Sequence, residues 1–205
     1  MLLAHKIELR PTVEQADYLA RACGSRRHCY NQLLRHFSKP DIKWSKKAAY
    51  QYYITVLRLQ FPWYRDVSTR VTRNAIDDLD NAFTHFFRRV KLGQKPGFPT
   101  FKRKGVHDSF ALRERSKFDV VRRQLRIEKL KTWINLRQKL RFIGTPKQVT
   151  VSLRAGKFYA SILVETEDYG PYNPQKPSIG VDFGVKNLAT FSDGTPNTLP
   201  NQKLK

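Results

Sequence analysis

The chain has 205 residues and 24.0 kDa, with 39 Lys/Arg against 17 Asp/Glu, a formal net charge of +22 and a pI near 10.3. Such a surplus exceeds what solubility needs and calls for a polyanionic partner, nucleic acid before an anionic membrane surface, while 40% hydrophobic and 12% aromatic content excludes a disordered basic tail. No uncharged apolar run reaches the ~20 residues of a membrane span, Lys6, Glu8 and Arg10 come too early for a signal peptide, and two cysteines give no disulfide framework.

Residues 2–10 alternate, with Leu3, His5, Ile7 and Leu9 on one face and Lys6, Glu8 and Arg10 on the other, and read as a strand. The period then changes. Thr12 and Gln15 stand at capping-box spacing ahead of apolar residues at Val13, Ala16, Leu19, Ala20, Cys23, Tyr30, Leu33, Leu34 and Phe37. Gly24-Ser25 interrupts that pattern, as a flaw in one helix or a turn between two. On one helix Cys23 and Cys29 point about 240° apart and cannot share a metal, so they read as plain buried thiols. A second helix is expected from Ser45, stacking Ala48/Ala49, Tyr52/Tyr53 and Val56/Leu57, and stopping before Pro62. The third carries Val71, Ala75, Leu79, Ala82, Phe83, Phe86 and Val90, with Gly93 as its C-cap.

From Gly97 the texture turns to short strands: 98–101, 109–112, 117–121 and 125–127. Residues 149–153 and 158–164 alternate around Ala155-Gly156, a hairpin signal. Gly170-Pro171 and Pro174–Pro177 read as a linker ahead of Ile179-Gly180-Val181-Asp182-Phe183-Gly184-Val185, and residues 195–205 have no core to join. Charge concentrates between Phe86 and Lys147, where 19 Lys/Arg face 4 Asp/Glu, a surplus of 15 out of +22. There Arg88, Arg89 and Lys91, Lys95, then Lys102, Arg103 and Lys104 interleave with Phe86, Phe87, Phe98 and Phe101, the mix expected where cations hold phosphates. A solvated face with aromatics turned inward would mix its signs.

Two further readings concern DNA. Ala20, Gly24 and Leu33 stand at offsets resembling a helix-turn-helix over 16–37, which would make Arg26, Arg27, Asn31 and Gln32 groove-facing; the competing reading is a helical hairpin or kinked helix packed inside a helical lobe. Thr69, Arg70 and Arg73 open the third helix and are a second DNA-facing candidate.

Two segments carry a family resemblance. One runs Asp77-Asp78-Leu79-Asp80-Asn81-Ala82-Phe83-Thr84-His85-Phe86-Phe87-Arg88-Arg89-Val90-Lys91, then Lys95-Pro96-Gly97-Phe98-Pro99-Thr100-Phe101-Lys102; the other runs Ile179 to Gly194. Their order, with Arg21-Ala22-Cys23-Gly24, Tyr30-Asn31 and Phe61-Pro62-Trp63, resembles the transposon-encoded RNA-guided nucleases called TnpB, relatives of type V CRISPR effectors. The resemblance implies an α+β fold: a β-barrel wedge domain with an inserted helical recognition lobe, followed by the first strands of a truncated RNase H-like RuvC nuclease. Mapped here, 1–10 is the first wedge strand, 11–93 the recognition lobe, 94–175 the rest of the barrel and 176–205 the start of the nuclease. It implies a guide RNA from the transposon end and double-stranded DNA as partners, with pairing to the guide supplying specificity, no membrane, and a cytoplasmic, nucleoid-associated setting.

By the same resemblance Asp182 is the first RuvC carboxylate and a ligand for divalent metal in two-metal phosphodiester hydrolysis. A carboxylate in so apolar a run is costly unless paired or metal-bound. Such a site needs further carboxylates, and only Asp193 follows; the family's Cys-x-x-Cys zinc pairs are absent too. The expectation is therefore no cofactor held by this chain, with Mg²⁺ or another divalent ion and zinc reserved to a full-length relative, and no cleavage by the chain alone. The Gly-x-Asp-x-Gly run also resembles an ATPase phosphate loop, but Val185-Lys186 follow it and too few residues remain for that fold. A structural aspartate in a turn is the plainer alternative. The functional alternatives are an autonomous helix-turn-helix-like double-stranded DNA-binding protein, a repressor or transposition accessory, and a nuclease completed by a second chain.

Overall fold

In a computed structural model describing residues 1–167, 179–185, 187–192 and 199–200, the first alternating segment forms strand β1 (Leu2–Arg10), which buries His5, Ile7 and Leu9. It is flanked by β7 (Lys157–Glu165) and β5 (Ile134–Leu136), antiparallel to both. With β2 (Ser109–Leu112), β3 (Phe118–Val121), β4 (Gln124–Ile127) and β6 (Thr145–Arg154) they make a seven-stranded sheet in the order β2-β6-β7-β1-β5-β4-β3, every neighbouring pair antiparallel. β3 returns against β6, so the sheet curls into a nearly closed, barrel-like shape around Ile7, Phe110, Leu125, Val151 and Ile162. The β6–β7 hairpin turns at Ala155 and Gly156, both at positive φ, as the two-residue signal predicts.

Two expectations about strands change. Residues 98–101 pair with no strand, because Pro96 and Pro99 lack the N–H groups a ladder requires. β5 was not foreseen: at three residues it is too short for a period to declare itself, although Ile134 and Leu136 are fully buried.

Helix α1 (Val13–Phe37) opens on the expected capping box, with Gln15 N donating to Thr12 Oγ1 at 3.3 Å and Thr12 N to Gln15 Oε1 at 2.9 Å. It then runs 25 residues without a turn, about 37 Å at 1.5 Å per residue. Neither a helix-turn-helix nor a hairpin exists over 16–37. The flaw at Gly24-Ser25 marks a change of packing partner instead. Before it, Tyr18, Leu19, Ala22 and Cys23 pack into the barrel core; after it, Cys29, Tyr30, Leu33, Leu34 and Phe37 enter a second core of helices. Ser25 Oγ donates to Arg21 O at 2.8 Å, the back-bond that satisfies a serine hydroxyl inside a helix.

That second core is completed by α2 (Lys46–Tyr52), capped by Ser45, a π-type turn at Tyr53–Leu57, the short α3 (Arg58–Gln60), and α4 (Thr69–Lys91), capped by Ser68. Ala49, Tyr53 and Leu57 stack inward at helical spacing, and the chain leaves helix at Phe61 before Pro62. Gly93, at φ 63°, follows α4 in the left-handed conformation of a C-cap. Both cysteines are buried free thiols, the Cys23 thiol pushed up to about 12 by burial and Cys29 pushed up further, so neither is a reactive group. Among the described residues no helix is long and apolar enough to cross a membrane.

Residues 1–167 form one compact unit and 168–205 another. In the second, β8 (Val181–Asp182), β9 (Asn187–Phe191) and β10 (Leu199–Pro200) make a three-stranded antiparallel sheet. The expected linker at 170–177 lies outside the described residues.

Candidate nucleic-acid interface

The apolar stripe of α4 is buried as far as Phe83 and then leaves the core: Phe87 and Val90 are each 50% exposed. Residues 97–102 cross this free end. Phe98 packs edge-on against Phe86 and Phe83, with ring centroids 5.4 and 5.7 Å apart. The segment is held from below by Asn31, whose amide donates to Lys102 O at 2.9 Å and accepts from Lys102 N at 2.8 Å. Between helix and segment lies a groove of about 410 Å³ whose walls include Arg88, Arg89, Lys102, Phe86 and Phe98, and no carboxylate. Lys102 Nζ sits 4.9 Å from the Tyr30 ring centroid. Its pKa is lowered, first by burial and then by the Arg26 charge, with Asp78 pulling the other way.

Ion pairing sorts the sequence-predicted cations into two sets. Among the described residues, Arg88, Arg89, Lys91, Lys95, Lys102, Arg103 and Lys104 make no ion pair. Lys91, Lys95, Arg103 and Lys104 are exposed beside the groove. Arg26 and Arg27 belong to the other set. Arg26 grips Asp78 of α4 with Nε and Nη2 at 2.9 and 2.6 Å, and Arg27 pairs with Asp108 at the start of β2. Both are neutralised within the fold. Asn31 and Gln32, the other recognition-helix candidates, bond to Lys102 and to His28. The acidic run Asp77–Asp80 is likewise structural: Asp77 and Asp78 pair with Arg113, Asp77 with Lys46, and Asp80 accepts from Trp44 Nε1 at 3.1 Å.

At the opposite end of α4, roughly 22 to 27 Å from Arg88 by helical rise, Arg70 pairs with Glu114 at 2.7 Å and Arg73 lies over the Tyr50 ring at 4.8 Å. Thr69 is half-buried there. These three do not join the groove. The role that sequence reasoning missed is that of Asn31, whose amide is occupied on both sides by the Lys102 backbone and so positions the basic segment. Only its adjacency to Tyr30 in the resemblance motif signalled it.

In the second unit, Asp182 pairs across the ladder with Thr190, and its side chain is exposed, so no burial cost attaches to the carboxylate. The neighbouring Ile179, Val181 and Phe183 are exposed as well. Among the described residues no group of three His, Cys, Asp or Glu converges to hold a metal ion. A two-metal site needs several carboxylates, so the described residues do not fit one and no hydrolytic step is assigned to them. Asp193 lies outside the described residues.

Comparisons with known proteins agree with the resemblance. Residues 1–39 match the OrfB/IS605-type family described as a helix-turn-helix domain. Here those residues are β1 and one uninterrupted helix. Over 199 residues the chain is 31% identical to InsQ of Escherichia coli (strain K12), described as a candidate RNA-guided DNA endonuclease, covering 95% of this chain and 48% of that protein. A Streptomyces pristinaespiralis protein of the same description is 27% identical over 210 residues, covering 98% of this chain and 51% of the other. A cryo-EM structure of a Cas12f1–sgRNA–target DNA complex aligns with TM-score 0.42 and 14% identity, covering 100% of this chain and 58% of that one. The TnpB resemblance read from the sequence is borne out, and the chain spans about half the length of the curated relatives it matches.

Proposed function

We propose that this chain binds nucleic acid as the first half of an RNA-guided DNA endonuclease, with the helices and barrel of residues 1–167 holding guide RNA and the DNA beside its target. One observation carries the reading: a groove lined by Arg88, Arg89 and Lys102 without a carboxylate, in a chain that pairs Arg26, Arg27 and Arg70 internally but leaves these three without an acid among the described residues. Cations spared from internal pairing are available to phosphates, and their release of counterions gives affinity without sequence preference. Phe86 and Phe98 offer aromatic edges and faces to unpaired bases. Sequence choice then falls to guide–target pairing. A strand transcribed from the transposon end is the ligand this reading favours, in the cytoplasm, where transposon RNA and DNA meet. Cleavage is not assigned to these 205 residues, since Asp182 stands alone among the described ones.

Competition at fixed salt between labelled structured RNA from the transposon end and random duplex DNA of equal length tests this. The RNA should win, and Arg88→Ala/Arg89→Ala/Lys102→Ala should weaken its binding and flatten the salt slope by about two to three. An unchanged slope, or outright victory of one duplex sequence, would sink the reading. No arrangement in α1 supports an autonomous helix-turn-helix protein.

A further inference from the structure

At one end of the barrel the two-residue β3–β4 hairpin turns at Arg122-Arg123, beside a cavity of about 740 Å³. Arg10, Arg122, Arg123 and Lys139 bring four cations to its wall, which Gln124, Asn135 and Leu136 complete, so no carboxylate faces it. None of the four makes an ion pair among the described residues, whereas Arg137, next to this wall, is spent on Glu8 at 2.8 Å. Arg123 is anchored by its Nη2 donating to Arg137 O at 2.6 Å. Gln124 Nε2 donates to Asn135 Oδ1 at 3.2 Å, a bond that engages the amide oxygen of Asn135 and not its Nδ2 donor. Arg122 has φ 52°, a left-handed conformation that such hairpins ordinarily give to Asn or Gly.

We propose that this cavity is a second anion site, which takes consecutive phosphates of a nucleic-acid strand and is separate from the α4 groove. It rests on the reading that the chain binds nucleic acid. Neighbouring phosphates on one strand lie close enough together for Arg122 and Lys139 to neutralise two of them while Arg10 and Arg123 hold the strand's register. Free inorganic polyphosphate shares that chemistry and is the other source.

The test uses the full 205-residue chain and a labelled 20-nucleotide single-stranded RNA, with inorganic tripolyphosphate as competitor. Arg122→Gly removes the charge while relaxing the backbone, so its melting temperature should equal or exceed that of the parent. Arg122→Gly/Lys139→Gln should lower RNA affinity and flatten the salt slope by about one to two, adding to the loss from the groove substitutions. Unchanged affinity and slope, with the groove variants still impaired, would overturn the second site and leave the proposed function standing. If the groove variants too were unimpaired, both would fall. Tripolyphosphate binding that is lost in the double variant while RNA affinity stays intact would assign the cavity to free polyphosphate and overturn the strand.

Discussion

Gly24 separates a turn from a helix at single-residue resolution. Its nearest prospective neighbour is Arg27 Nη2, 3.9 Å from where a Cβ would sit, so the site is open. Gly24→Ala should stabilise the protein by about 0.5–1 kcal/mol through helix propensity, read as a higher denaturant midpoint at constant m. A turn there would reverse the sign. Arg26 and Arg88 make a matched pair of tests. Arg26 and Asp78 are 17% and 19% exposed in a two-bond ion pair, so Arg26→Ala should cost about 1–3 kcal/mol of stability and leave the salt slope of binding unchanged. Arg88→Ala should do the opposite. Glu128 supplies a pH dependence. Burial pushes its pKa up, but Lys117 Nζ at 2.5 Å and the Ser68 hydroxyl outweigh that and hold it below the ordinary value. Its contribution is therefore present above about pH 4.3, the unfolded value, and is lost as pH falls through the lower folded one. Glu128→Gln should remove that part of the acid-unfolding curve.

Among the elements, α1 is the beam that both cores share, and its continuity is what sets Asn31 beneath residues 97–102. The clamp on Lys102 spans 71 residues of sequence with two hydrogen bonds. Asn31→Ala should accelerate hydrogen exchange at the Lys102 amide and weaken RNA binding although no cation is removed. Exchange left at the parental rate would show that the Phe86 and Phe98 contacts hold the segment unaided. The exposed last turns of α4 follow the same logic: an amphipathic helix longer than its core leaves aromatic side chains at the surface beside Arg88 and Arg89, and that juxtaposition makes the groove. The pairing of β1 between β7 and β5 ties the chain's first residues to the middle of the sheet, with Thr166 N donating to Met1 O at 2.9 Å.

Over the whole molecule, a charge of +22 is tolerated because the acids are placed where they cross-link elements, while the groove and the cavity beside Arg122 are left positive. The second unit adds little to binding in this scheme. Asp182→Ala should leave nucleic-acid affinity within about twofold and stability within about 0.5 kcal/mol, as for other exposed positions. Incubation with Mg²⁺ or Mn²⁺ should give no cleavage of single- or double-stranded DNA. Metal-dependent cutting abolished by Asp182→Ala would mean that another subunit completes a site around it.

What was legible in sequence was whatever depends on spacing along the chain: the alternation of β1, the capping box at Thr12, the stripes of α2 and α4, the Ala155-Gly156 hairpin and the basic stretch around residues 86–104. Local backbone geometry reads such spacing directly. The roles of the charges were not legible. Arg26 and Arg88 are both arginines on helices, yet one meets Asp78 from 52 residues away and the other meets no acid among the described residues. Arg27 finds Asp108 across 81 residues, and Gly24, which interrupts the pattern, proves to be where one helix passes from the barrel core to the helical one. Only the tertiary structure decides which charge is neutralised from within and which is left for a ligand, because an ion pair is set by what folding brings opposite a side chain and not by its neighbours in sequence.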